Sequence, residues 1–208
     1  SGSAKDFINY SLEDAYSKSE SIKSGINADL TTGKIIDSYG DTDNIDASNP
    51  ITNIVGSKHN DIIIDSDADN IILGGLGDDL IEVGEGEDVI YGDDEISSGG
   101  KDTFIFKGQF GNDTIEDFEI NNDKVILEVN ENDSITLEGI DTNSLKIKKT
   151  NTQDNFLILN STAGIITAST LALATSEVMG LTTLSNVSVN LQLDGNEDIV
   201  DFTRLTNS

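Results

Sequence analysis

From Gly56 to Phe106 the chain runs in blocks of nine residues, a period so short that very few folds can satisfy it. The blocks read GSKHNDIII, DSDADNIIL, GGLGDDLIE and VGEGEDVIY, then, after an insertion, SSGGKDTFI. The cleanest is Gly74-Gly75-Leu76-Gly77-Asp78-Asp79-Leu80-Ile81-Glu82, which matches the nonapeptide G-G-x-G-x-D-x-U-x at every position. The eighth position holds Ile63, Ile72, Ile81, Ile90 and Phe104 in turn, and the sixth holds Asp61, Asn70, Asp79, Asp88 and Asp102. An acidic Gly-rich linker has no need of a large apolar residue at every eighth place.

That phase carries its own physics. Glycines at the first, second and fourth positions permit positive φ and a tight loop without a Cβ penalty. The last three residues of each block form a short extended piece with one side chain pointing inward. A single turn cannot bury its one Ile, so turns must stack, and stacking creates a continuous apolar column. The loops then pile up along the edges, each bringing a carboxylate and several free carbonyls. Such oxygen-lined edges repel one another unless a hard cation sits between them, and calcium, with about 6–8 oxygen ligands, suits them.

These residues closely resemble the RTX (hemolysin-type) calcium-binding repeats. The resemblance implies a parallel β-roll solenoid in which each ion lies between loops two blocks apart on the same edge. Carried onto this chain, Asp61 and Asp79 share one edge, with main-chain carbonyls of Gly56, Lys58, Gly74 and Leu76. Asp88 falls on the opposite edge beside the 65–70 loop, with carbonyls expected from Val83 and Glu85. Asp102 continues the first edge and Asp113 the second. The 65–70 loop departs from the family pattern, since Asp65-Ser66-Asp67-Ala68-Asp69-Asn70 has no glycine and an Asn at the sixth place. Asp67 or Asp69 is the expected substitute ligand there, with Asp65 and Asn70 in the same loop. Lys58 and His59 also stand where the family carries small residues. For each Asp the competing reading is turn chemistry, because Asp and Asn close Asx turns without any ion. Asp93, Asp94 and Glu95 of the insertion either complete a site or form a solvated acidic loop.

Away from the blocks, Phe7 to Ser11 and Ile26 to Lys34 alternate apolar and polar residues and suit strands, while Ser11-Leu12-Glu13-Asp14 could instead cap a short helix. Gly40 to Ile45 and Ile51 to Ser57 read as degenerate first turns of the same roll, with Ile54 beginning the column that Ile63 continues. Gly108 to Glu116 matches the nonapeptide again, and Asp117-Phe118 and Asn122-Asp123-Lys124-Val125-Ile126-Leu127 follow, resembling the closing cap of RTX modules in secreted proteases and alginate epimerases. Residues 134–160 alternate well enough for two or three flanking antiparallel strands, and Ala168 to Met179 suggest one short helix. The expected fold class is therefore all-β: a parallel β-roll, or RTX solenoid, with flanking and capping antiparallel strands and a short C-terminal helix. The expected division is 1–23 as a tag remnant (Ser1-Gly2-Ser3) and leading segment, 24–127 as the roll with its cap, 128–160 as flanking strands, and 161–208 as a C-terminal segment of unassigned role. Asn190 to Asp201 has acceptors at EF-hand spacing around Gly195, and an ordinary acidic turn remains the alternative.

Charge narrows the partners. With 39 acidic against 12 basic residues the net charge is −27, which argues against nucleic acid and anionic membrane surfaces. No cysteine is present, so disulfides and thiolate metal sites are excluded, and one histidine cannot build a multi-histidine zinc site. His59 reads as solvated. No apolar run reaches the roughly 20 residues of a membrane span. No catalytic constellation stands out, so the chain is expected not to be an enzyme. The reading that follows is a calcium-binding module of a large secreted bacterial surface protein, of adhesin or surface-layer type. It would take several Ca2+ ions, meet the type I secretion apparatus by resemblance, and present a cell-surface or glycan ligand site outside the cell. The alternative is an accessory module of an extracellular protease or alginate-epimerase-type enzyme, for which Lys146, Lys148 and Lys149 form the one basic cluster.

Overall fold

The structure, a computed structural model, describes residues 6–12, 24–46, 51–93, 99–119, 122–129, 134–139, 144–150, 154–161, 191–192 and 198–201. Among the described residues there are seventeen strands and no helix. The leading part contributes β1 (Phe7–Asn9), β2 (Asn27–Asp29), β3 (Lys34–Ile36) and β4 (Thr42–Asn44). The repeat region contributes β5 (Asn53–Val55), β6 (Ile62–Ile64), β7 (Ile71–Gly75), β8 (Leu80–Val83), β9 (Val89–Asp93), β10 (Thr103–Phe106), β11 (Asn112–Phe118) and β12 (Lys124–Val129). Beyond these lie β13 (Ser134–Gly139), β14 (Ser144–Thr150), β15 (Asp154–Ser161), β16 (Leu191–Gln192) and β17 (Asp198–Asp201).

The strands form two sheets, one ordered β1-β5-β7-β9-β11-β15-β14-β13-β16 and the other β17-β12-β10-β8-β6-β2-β3-β4. From β5 to β12 consecutive strands alternate between the sheets, so neighbours within a sheet lie two blocks apart in sequence and pair parallel. Each short strand contributes one central inward side chain. In one sheet Ile54, Ile72, Ile90 and Ile115 stand in register; in the other Ala28, Ile63, Ile81, Phe104 and Val125 do. All nine are fully buried. The core is thus a pair of facing columns. Ile54 and Ile63 belong to different columns rather than to a single one, because one block of nine carries the chain from one sheet to the other.

Spacing between stacked turns is 18 residues through the regular blocks and grows to 23 and then 25 across the insertion and the following loop. The extra residues sit in loops, and the strands stay in register because a slip would turn every Ile out of the core. The wider later turns are filled by larger side chains. Phe106 and Phe110 meet edge-on at 5.1 Å between ring centroids, and Phe104 and Phe118 lie 6.4 Å apart.

Two expectations about the leading part change. Residues 40–45 are not a parallel turn, since β4 pairs antiparallel with β3, and β3 with β2, in a short meander. Residues 7–9 are an integral strand that pairs parallel with β5 and places Ile8 on Ile54. The flanking strands 134–160 are as expected, with β13, β14 and β15 antiparallel and β15 parallel to β11. The helices considered at 11–16 and 168–179 fall largely or wholly outside the described residues, as does the glycine turn of 190–201, whose end forms β17 against β12.

Ile62 and Ile63 are adjacent, yet Ile62 is 41% exposed and Ile63 is fully buried. Ile63→Ala should cost about 2–5 kcal/mol by leaving a cavity. Ile62→Ala should stay within about 0.5 kcal/mol. Urea titrations of the two variants check this, and similar losses for both would contradict the register.

Candidate metal centre

The sixth-position residues line two edges, one at the start of the even-numbered strands and one at the start of the odd-numbered ones. On the first edge the amide of Asp61 donates to Asp79 Oδ1 at 2.8 Å, that of Asp79 to Asp102 Oδ1 at 2.9 Å, and that of Asp102 to Asp123 Oδ1 at 3.1 Å. On the second edge the amide of Asn70 donates to Asp88 Oδ1 at 2.8 Å, and that of Asp88 to Asp113 Oδ1 at 3.1 Å. All seven of these side chains are buried. The carboxylates of Asp79, Asp88, Asp102, Asp113 and Asp123 therefore each reach back one turn and bind the amide of their own counterpart.

The other oxygen of each group divides them. Asp79, Asp88, Asp102 and Asp113 each bury Oδ2 with no hydrogen-bond partner. The outer members are satisfied. Asp61 accepts from Ser57 N and Oγ and from Ile26 N, and Asp123 accepts from Asp102 N and Glu119 N. Asn70 donates its amide group to the Thr52 carbonyl and accepts from Ser66 Oγ. An unpaired buried carboxylate oxygen is costly, because desolvation is not offset by a donor. The four orphans thus lie in the interior turns, two per edge.

Main-chain oxygens crowd the same places. A Cβ built on Gly74 would collide with the Gly92 carbonyl and Asp79 Oδ2, and one on Gly92 with Asp102 Oδ2. Gly74 has no positive φ and is needed for space, whereas Gly77 takes φ +119° and is needed for conformation. Among the described residues no three carboxylate or imidazole side chains converge as a metal site on their own. A site at these edges must combine carboxylates from adjacent turns with carbonyls, a donor set that suits a hard cation such as calcium.

Electrostatics agree with that arrangement. Burial pushes Asp79 up to about 9, Asp102 up to about 8 and Asp123 up to about 7, with Asp93 among the charges that add to all three. Asp65, Asp88 and Asp113 are raised by burial, and crowding by Asp88 adds to the rise at Asp65 and Asp113. Asp61 and Asp117 are also raised, again chiefly by burial.

Of the residues expected at the site, Asp61, Asp79 and Asp102 meet on one edge and Asn70, Asp88 and Asp113 on the other. In the glycine-free loop the buried carboxylate is Asp65; Asp67 is exposed, and Asp69 accepts from the Glu87 amide on the surface. Lys58 and Glu85 have exposed side chains, Leu76 donates its amide to the Ser57 carbonyl, and Val83 ends β8 with a buried side chain. Gly56 packs against the Gly74 carbonyl and Asp61. His59 is half-buried rather than solvated. Two participants lay outside the expected set. Asp123 closes the first edge, and its Asp-Lys-Val phase, with Val125 in the core, was the available signal. Asp117 takes the place opposite Gly92 and accepts from Gly92 N and Asp93 N at 2.9 and 3.0 Å, with no repeat phase to announce it.

No model of a known protein family matches the chain, and no curated protein matches it.

Because these carboxylates have folded-state pKa values above their unfolded ones, the metal-free fold holds protons that the unfolded chain releases from about pH 4 upward. Without metal, stability should therefore be greatest below that range and fall as pH rises through about 4 to 9, the span set by Asp79 and Asp102. Thermal melts in chelator across this range test it; stability that is flat or rises would contradict the burial of these groups.

Proposed function

We propose that the chain is a calcium-binding β-roll module of the RTX type, belonging to a large secreted bacterial surface protein of adhesin or surface-layer kind. The observation that carries this reading is the set of four unpartnered, buried carboxylate oxygens, two on each edge. Asp79 and Asp102 would hold ions on the first edge, and Asp88 and Asp113, with Asp65 beside them, on the second. Carbonyls of the loop glycines would complete each shell. Calcium would supply the positive charge that these oxygens lack and bridge one turn to the next.

The magnitude is sufficient. A site with Kd near 10⁻⁴ M in about 1 mM calcium gains roughly 1.4 kcal/mol, and four such sites on the order of 5 kcal/mol. That is comparable with the whole stability of a small domain. At −27 the metal-free chain repels itself, so it would be loose where calcium is scarce and would tighten where calcium is abundant. This fits the passage through a type I secretion apparatus that the family resemblance implies, with folding outside the cell.

One observation favours an accessory glycan-binding role as a second reading. Lys146 and Lys148 place their ammonium groups 3.6 and 5.6 Å from the ring centre of Phe156, which makes a compact cationic patch on an otherwise acidic chain.

The test is far-UV circular dichroism with thermal melts from chelator to about 10 mM calcium, above the roughly 10⁻⁴–10⁻³ M range of extracellular calcium modules. The β signal and melting temperature should rise with calcium, and Asp79→Ala and Asp88→Ala should each shrink that rise. A chain equally folded and equally stable in chelator and in calcium overturns the proposal.

A further inference from the structure

Lys149 is 2% exposed, a buried ammonium in a chain with few cations. On β14 the inward residues are Ile147 and Lys149, while Lys146 and Lys148 lie half-buried on the other face. The Lys149 side chain thus occupies a core-facing place and must find oxygen there, since an unpaired buried ammonium is strongly disfavoured. It donates from Nζ to the Gly108 carbonyl at 2.8 Å, and Nζ lies 5.9 Å from the centre of the buried Phe110 ring.

Gly108 is the first residue of the last nonapeptide block, the place held by Gly74 in the cleanest block. Its loop ends at Asp113, the last carboxylate of the second edge. In the preceding gaps of that edge the amides of Asn70 and Asp88 meet a carboxylate from the following turn. Beyond the Gly108 loop the partner is instead the β14–β15 pair, which offers an ammonium and a carboxamide. Asn155, itself buried, accepts from Phe110 N at 2.9 Å and Gly111 N at 3.0 Å, and its amide group donates to Gln109 Oε1 at 2.7 Å.

We propose that Lys149 is a tethered cation that ends the metal column of the second edge, holding the Gly108 carbonyl where a further turn would have shared it with an ion. Among the described residues, Lys149 and Asn155 bring this last gap an ammonium and a carboxamide in place of the carboxylate that a divalent ion needs, and the ammonium cannot diffuse away. Lys149 therefore limits how many ions the second edge can take and fastens its final loop at any calcium concentration. The limit on ion number rests on the calcium reading above; the fastening of the loop does not.

The experiment compares the parent chain with Lys149→Met, Lys149→Arg and Lys149→Glu in about 10 mM calcium. Amide exchange at Phe110 and Gly111 and the number of bound calcium ions by native mass spectrometry are read together. Lys149→Met keeps the length of the side chain and loses its charge, so exchange at both amides should be about tenfold faster, the loss expected for one charged hydrogen bond. Lys149→Arg should stay close to the parent. Lys149→Glu exchanges the cation for a ligand and should bind one more calcium ion than the parent. Parent-like exchange in Lys149→Met overturns the proposal, and so does an unchanged ion count in Lys149→Glu. If Lys149→Met fails to fold while Lys149→Arg folds, the need for a cation is supported; if both fail, packing of the stem is what matters and the proposal falls. If no form binds calcium, the calcium reading fails by itself, and the contrast between the Met and Arg variants still decides whether the ammonium fastens the loop.

Discussion

The stack depends on one repeated hydrogen bond, from the amide of a sixth-position residue to the carboxylate of the next turn on the same edge. Strands of three to five residues offer few ladder bonds of their own, and the loops between them would splay without a tie. The bonds Asp61 to Asp79, Asp79 to Asp102, and Asp88 to Asp113 provide that tie. They also force the carboxylates inward, where water no longer solvates the second oxygen. The carboxylates that tie the turns together through Oδ1 are thus the same groups whose Oδ2 is left buried without a donor.

Position along the stack decides how far that demand is met. Each edge begins and ends on a group satisfied by protein donors: Asp61 and Asp123 on the first, Asn70 and Asn155 on the second. Between them lie the unsatisfied pairs. A terminal turn has a neighbour of different sequence on one side, and that neighbour can bring a hydroxyl, an amide or an ammonium to the last oxygen. An interior turn sees only copies of itself, whose one sixth-position amide is already given to Oδ1 and whose sixth-position side chains are acceptors. Repetition therefore concentrates negative charge in the middle, and the ends are relieved by residues that break the repeat.

The glycines divide by a similar logic. Gly77 is required by its backbone angle, whereas Gly74 is required because the Gly92 carbonyl and Asp79 Oδ2 approach its α-carbon. From the motif alone both look like turn glycines. Their different jobs arise from the distance between stacked loops, which a single block does not contain.

The nonapeptide phase was enough to place Ile63, Ile72, Ile81 and Ile90 in the core, because period is a property of the chain itself, whereas the division of Asp79 and Asp88 between opposite edges came from the family resemblance. It also pointed to stacked parallel strands, since one turn cannot bury its single apolar side chain, and the structure divides those strands between two mostly parallel sheets with a column each. What only the tertiary structure decided lies where the period stops: the antiparallel meander of β2, β3 and β4, the closure of the first edge by Asp123, the fold-back of Asp117 onto Gly92, and Lys149 against Gly108. Each of these depends on residues brought together across unequal intervals. Whether a given carboxylate oxygen is satisfied or orphaned is likewise a property of its neighbour in space, and a repeat can state the spacing of its acceptors without stating where a donor will arrive.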